Sequence, residues 1–333
     1  MAKWYTDSGF QSDIVLSTRV RLARNIKGIP FPKKMSEEDS LRVIKTVEDS
    51  LGRMNMEFTR QDILSLSPLE REVLVEKRFI SPNLAKAKKP SSVFVSGDES
   101  ISIMVNEEDH IRLQAIFAGF ECQKAYDVVS GVDKVIAETV DYAVHQKYGY
   151  LTSCLTNVGT GMRISFMMHL PAICKANMAE SLFAAMNKLG VTVRGMYGEG
   201  SKASGYLFQV SNQVTLGLNE KEIADRLNDV VNQLITKERD LRNELLKREG
   251  PALEDKIMRS VGILKTARLL STKEMLGLFS NVRLGISMNL IDDVNPEILN
   301  LLMVETSPAH LADDSSTPVE RDIERAKTVR EKI

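Results

Sequence analysis

The chain has 333 residues, 43% of them hydrophobic and 27% charged, with 44 Lys and Arg set against 45 Asp and Glu. That is enough material for two domains and a sizeable core, and a balanced charge excludes the polybasic footprint of a general nucleic-acid or membrane-surface binder. The first residues lack a signal-peptide pattern and no apolar run reaches about 18 residues, so a cytoplasmic protein is expected; Cys122, Cys154 and Cys174 lack zinc-type spacing and do not suggest a disulfide framework.

In chain order, Ser17-Thr18-Arg19-Val20-Arg21 reads as a strand with Arg19 and Arg21 on one face. Ser92 to Val105 alternates as a hairpin about Gly97-Asp98, and the spacing from Ile111 to Val129 predicts a helix. Ile164, Phe166, Met168 and Leu170 form an alternating strand, Met178 to Leu189 a helix, and Val191 to Val193 and Tyr206 to Val210 two further strands. The sum is an α+β fold, mostly antiparallel sheet flanked by helices. From Glu220 onward the three-and-four spacing of Ile223, Leu227, Val230, Leu234, Leu241 and Leu245 is helical, with a break expected at Gly250-Pro251. Ser271 to Glu274 has capping-box spacing, and Asn295-Pro296 and Thr317-Pro318 read as helix starts, the latter after a short exposed linker, Ala312 to Thr317. We expect a domain of residues 1–225 and an all-helical one of residues 226–333.

Several strings have residue types suited to chemistry, and each also has a plainer reading. Arg19 and Arg21 repel one another unless an anion joins them, or else form a solvated strand face. Asn106-Glu107-Glu108-Asp109-His110-Ile111-Arg112 either collects functional carboxylates or is simply a helix start, with Asn as cap and acids in the first turn. Its consecutive acids point in different directions, which disfavours one metal ion. Cys154 to Arg163 is a glycine-bearing loop that brings backbone N–H groups close to an anion or merely turns tightly. Arg194 to Ser201 has the glycine spacing of a P-loop, but Ser201-Lys202 reverses the Lys-Ser order, so that reading is rejected.

Taken in order, STRVR, NEEDH-x-R, C-x-TN-x-GTGMR, RG-x-x-GE and Ser211-Asn212 with Leu216-Gly217 resemble the catalytic domain of the phosphagen (guanidino) kinases, from about Val15 to Glu220. The helical remainder, with Arg321-Asp322-Ile323-Glu324-Arg325-Ala326, resembles the tail of the McsB-type protein-arginine kinases and their RDxxRA motif. The resemblance implies phosphoryl transfer from ATP to arginine side chains of proteins. Arg19, Arg21, Arg112, Arg163 and Arg194 would hold the nucleotide phosphates, with Mg²⁺ carried on ATP rather than in a protein metal site. Glu108 and Glu199 would grip the acceptor guanidinium, Glu108 as general base, and Cys154 occupies the family's reactive-cysteine position. Arg321, Asp322, Arg325 and Ala326 would bind phosphoarginine at a regulatory site.

Small-molecule phosphagen kinases carry a separate helical domain before the catalytic one, for which a chain with STRVR at Ser17 leaves no room. That implies a site open to arginines on protein surfaces. Expected partners are protein substrates, a McsA-type activator, the heat-shock repressor CtsR, the Clp unfoldase and protease that recognise phosphoarginine, and a second copy of the chain, without direct nucleic-acid or membrane contact. Rival readings are a kinase of free arginine or another small guanidine, and a non-catalytic adaptor binding ATP or phosphoarginine for a protease.

Overall fold

A computed structural model describes residues 3–196, 203–313 and 316–333. Its centre is β1 (Val15–Arg24), which lies inside an eight-stranded antiparallel sheet. The other strands of that sheet are β2 (Phe58–Asp62), β3 (Ser92–Ser96), β4 (Ile101–Val105), β5 (Ile111–Ala118), β8 (Met162–His169), β9 (Val191–Gly195) and β10 (Leu207–Asn212). Their spatial order is β2-β3-β4-β5-β1-β8-β10-β9, while β6 (Val144–His145) and β7 (Gly149–Tyr150) form a separate small hairpin.

The register explains why the sheet has two unlike faces. Val20 lies opposite Ala115 and Ile164, and Leu22 opposite Leu113 and Met162. These apolar residues form the main core, together with side chains of α1 (Glu37–Leu51), α4 (Cys122–Ala137) and the first half of α7 (Glu220–Thr266). Each fully buried Leu, Ile or Phe side chain there contributes about 1.5–3 kcal/mol. The alternate residues of the same strands point the other way: Arg19 lies opposite Ile116 and Ser165, and Arg21 opposite Gln114 and Arg163.

A second core joins the rest of α7, from Leu245 to Leu264, with α8 (Thr272–Ser287), α9 (Pro296–Glu305) and α10 (Pro318–Lys332). It also takes in Trp4, Tyr5, Ile116 and Met167, so the C-terminal helices cover one end of the arginine-bearing face. Asn295 and Thr317 cap α9 and α10 as the sequence indicates, whereas Ser271 accepts from Glu274 N without the reciprocal half of a capping box. Among the described residues no helix is long and apolar enough to cross a membrane.

Two expectations are corrected. Ile111 to Val129 is not one helix: Ile111–Ala118 is β5, and α4 starts only at Cys122. Ile111, Leu113 and Ala115 alternate into the core with period two, and Gly119 then ends the strand at φ 69°, where an added Cβ would lie 2.5 Å from the Gly9 carbonyl carbon. Gly250-Pro251 does not interrupt α7, which runs 47 residues through it. A proline inside a helix costs about 3 kcal/mol or more, and burial of Leu245, Leu253 and Ile257 in one core opposes that cost.

Candidate active site

Arginines converge on the polar sheet face. β1 supplies Arg19 and Arg21, β5 supplies Arg112, and β8 supplies Arg163; Arg194 on β9 is exposed at the edge. Among the described residues the partners of Arg19, Arg21 and Arg163 are sparse. Arg19 Nε reaches Ser165 Oγ at 3.4 Å, Arg163 Nη2 donates to Ser211 Oγ at 2.9 Å, and among the described residues the buried Nε groups of Arg21 and Arg163 have no hydrogen-bond partner. Desolvation, followed by repulsion from Arg78, Arg112 and Arg163, pushes Arg19 down to about 9. Desolvation and neighbouring guanidiniums also lower Arg21 and Arg163. Guanidinium holds its proton at neutral pH, so these cations stand in mutual repulsion that an anion with several oxygens would relieve.

Two carboxylates stand beside them. Residues 106–110 close the β4–β5 hairpin, with Val105 paired to Ile111, so the string once open to a helix-start reading is a strand-to-strand loop. Asn106, at φ 62°, donates from its amide to the carbonyls of Ser40 and Pro90 at 2.9 and 3.0 Å. His110 Nδ1 accepts from Ile26 N at 3.0 Å, which leaves Nε2 to donate to Pro30 O at 2.9 Å, and burial lowers its pKa. Asp109 accepts from Asn25 Nδ2 at 2.7 Å and from Ser153 N at 2.6 Å, tying this loop to the end of β1 and to the cysteine loop. Asp109 and His110 are therefore scaffold, and only Glu107 and Glu108 turn toward the arginines.

Those two differ in exposure. The Glu107 side chain is 1% exposed, accepts from Ser81 Oγ at 2.6 Å and pairs with Arg112 Nη1 at 2.9 Å. The Glu108 side chain is 33% exposed, pairs with Arg112 Nη2 at 2.9 Å and lines a cavity of about 420 Å³ with Asn83, Lys88, Asn106 and Glu107. One guanidinium thus bridges both acids, leaving Glu108 with access to an incoming cation. Glu199 lies outside the described residues.

The cysteine loop meets the arginines at Arg163. Gly161 at φ 65° lies so close to the end of β1 that a Cβ would sit 2.6 Å from Ala23 O, and this approach sets the start of β8. Cys154 is partly exposed, 3.0 Å from Thr156 Oγ1, and within electrostatic reach of Arg163. Burial pushes the thiols of Cys122 and Cys174 up, to about 11 and about 12. Among the described residues no group of three or more His, Cys, Asp or Glu is arranged to hold a metal ion.

The tail residues stand apart from this site. Arg325 is 1% exposed, donating Nε to Thr306 O and Nη1 to Leu270 O, each at 2.9 Å, and pairing with Asp322. Ala326 is in the second core, and Arg321 donates to Ser316 O at 2.8 Å. Arg321 and Arg325 thus have different surroundings despite their helical spacing. Sequence reasoning missed Glu107, which was hidden by the helix-start reading of its loop.

Residues 37–241 match the family described as ATP:guanido phosphotransferase, C-terminal catalytic domain, a span that begins after STRVR. Residues 250–333 match the protein-arginine kinase McsB C-terminal domain. A protein-arginine kinase of Halothermothrix orenii is 44% identical over 100% of this chain and 97% of its own length, and one of Moorella thermoacetica is 45% identical over 99% and 97%. In fold the chain is similar to lombricine kinase, at TM-score 0.63 and 24% identity, covering 70% of this chain and 68% of that one. The duplicated taurocyamine kinase from Schistosoma mansoni with bound transition state analog components aligns at TM-score 0.62 and 21% identity, covering 83% of this chain and 41% of that one. The chain belongs to the ATP:guanido phosphotransferase family and, within it, to the protein-arginine kinases of McsB type.

Proposed function

We propose that this enzyme transfers the γ-phosphoryl group of Mg·ATP to arginine side chains of other proteins. The observation that carries the reading is a sheet face on which Arg19, Arg21 and Arg163 are desolvated and, among the described residues, without an ion-pair partner, beside a carboxylate that lines a cavity. Arg19, Arg21, Arg112, Arg163 and Arg194 take the nucleotide phosphates through charge-assisted hydrogen bonds, the larger part of catalysis in phosphoryl transfer being such positioning and charge stabilisation. The unpartnered Nε groups of Arg21 and Arg163 fit that task. Mg²⁺ travels on the phosphates and supplies further neutralisation there.

An arginine guanidinium, with a pKa above about 12, is a poor nucleophile until it is oriented and loses a proton. Glu108 grips it and accepts the proton as the N–P bond forms and the bond to ADP breaks. Glu107 holds Arg112 in place, and Glu199 is proposed as the second carboxylate at the acceptor. Cys154 is proposed beside the acceptor nitrogen, near Arg163.

The products mark proteins for a Clp unfoldase and protease and inactivate the heat-shock repressor CtsR, with a McsA-type activator as partner, in the cytoplasm and as a homodimer. Arg321, Asp322, Arg325 and Ala326 are proposed as the phosphoarginine-responsive segment. The test is incubation with Mg·ATP, an arginine-rich unfolded protein and, in parallel, free arginine, followed by acid-free mass spectrometry. Phosphoryl groups on protein arginines are expected from the native chain. Glu108→Gln should lose about 10²–10⁴-fold in rate while keeping ATP affinity, and near-normal turnover would remove Glu108 from the mechanism. Product on free arginine alone would make this a small-guanidine kinase.

A further inference from the structure

The cavity beside Glu108 has a basic mouth for which phosphoryl transfer itself has no use. Lys33, on the loop between β1 and α1, lines it together with Lys88 and Lys89, on the loop between the short helix Pro82–Ala85 and β3. All three lysines are exposed, while Met35 and Leu84 of the same wall are buried and apolar. These loops are fastened to one another and to the carboxylate loop. Lys89 Nζ donates to Met35 O at 2.6 Å, His110 Nε2 to Pro30 O at 2.9 Å and Asn106 Nδ2 to Pro90 O at 3.0 Å.

Lysines elsewhere on the surface have acidic partners: Lys45 pairs with Asp49 at 2.7 Å, Lys221 with Asp225 at 2.7 Å and Lys265 with Asp293 at 3.1 Å. Among the described residues Lys33, Lys88 and Lys89 form no ion pair. The acids of this cavity, Glu107 and Glu108, are both held by Arg112, and nearby Asp39 is taken by Ser36 at the start of α1. The three lysines and Arg112 thus set four positive charges against two negative ones. An acceptor arginine arriving alone adds a further positive charge there. One accompanied along its chain by Asp or Glu brings its own counter-charges, and lysines on flexible stems follow a carboxylate whose place varies between substrates.

We propose that Lys33 and Lys88 form a specificity rim that selects acceptor arginines with Asp or Glu close by in the substrate chain. This rests on the reading of Glu108 as the carboxylate that receives the acceptor guanidinium. The two ammonium groups take the neighbouring carboxylates as the guanidinium enters, and a lysine or arginine beside the acceptor is repelled. Lys89, tied to Met35 O, holds the loop that presents Lys88.

The test is competition in one tube: Mg·ATP, the full chain and three peptides, each with a single arginine flanked by Glu, by Gln or by Lys, with phosphoarginine quantified by acid-free mass spectrometry. The product ratio gives relative kcat/KM whatever the total activity. The Glu peptide should lead the Gln peptide about fivefold at about 50 mM salt, the upper scale of an exposed ion pair, with the Lys peptide last. Near about 1 M salt the lead should vanish as the charges are screened. In the double variant Lys33→Gln, Lys88→Gln, which alters only exposed side chains, the lead should fall below twofold. Equal products from the native chain, or a lead that the variant keeps, would overturn the proposal. The α-carboxylate of free arginine offers the lysines the same chemistry, so free arginine and its methyl ester compete in parallel. A preference for free arginine that the variant abolishes, without any difference among the peptides, would assign the rim to a small substrate and overturn the selection proposed. If neither peptides nor unfolded protein are phosphorylated, the acceptor-site reading itself fails and the rim falls with it.

Discussion

Arginines sit against the sheet and among the C-terminal helices, but burial means opposite things in the two places. Arg242 and Arg325 are 3% and 1% exposed and well supplied with acceptors. Arg242 pairs with Glu238 at 2.8 Å and reaches His169 O, Ser287 Oγ and Asp13 O, while Arg325 holds Thr306 O, Leu270 O and Asp322. On the sheet face, among the described residues, Arg19 and Arg163 each have one hydroxyl partner, and the Nε of Arg21 has none. A saturated guanidinium fastens elements together, whereas an unsaturated one among other cations awaits an anion. The contrast even occurs within one strand, since Arg24 of β1 is fully engaged by Asp133, Thr160 O and the Tyr150 ring.

The contrast breaks most visibly at Arg325. Arg325→Ala leaves two carbonyls without their donor and Asp322 without its partner, so stability should fall by about 3 kcal/mol in denaturant titration. A loss below about 1 kcal/mol would place Arg325 with the ligand-awaiting group instead. Arg21→Met should act in the opposite direction, stabilising the nucleotide-free protein by about 1 kcal/mol because it removes one of several repelling buried cations, while abolishing the extra stability that tripolyphosphate confers on the native chain. Destabilisation of the nucleotide-free form would contradict the repulsion described here.

The smallest effect concerns the loop that carries the carboxylates. Burial lowers the His110 pKa from the ordinary 6.5, so below that pH the unfolded chain takes up a proton that the folded imidazole resists. Stability should therefore decline as pH falls from 6.5, and the decline should be shallower in His110→Gln. Parallel curves for the two proteins would mean that His110 titrates alike folded and unfolded.

Strands with strict alternation were legible in the sequence. Arg19 and Arg21 share a face because side chains alternate, and Arg163 joins them because β8 is β1's neighbour, a fact that alternation alone does not supply. The family motifs bridged that gap. What failed was local: IRLQAIFA contains apolar residues at both strand and helix spacing, and only the close approach of Gly9 to Gly119 reveals where the strand stops. Glu107 and Glu108 look alike in sequence, and their different exposures come from Ser81, which is remote from them along the chain.

The long α7 helix has a mechanical consequence. At 1.5 Å per residue its 47 residues make a rod of about 70 Å, whose apolar side chains leave the sheet core at Leu241 and enter the second core at Leu245. A cut made between the two cores therefore severs a continuous helix rather than a linker, and exposes apolar surface on both fragments. Melting of one half withdraws the support of the other, which favours a single unfolding transition over two independent ones.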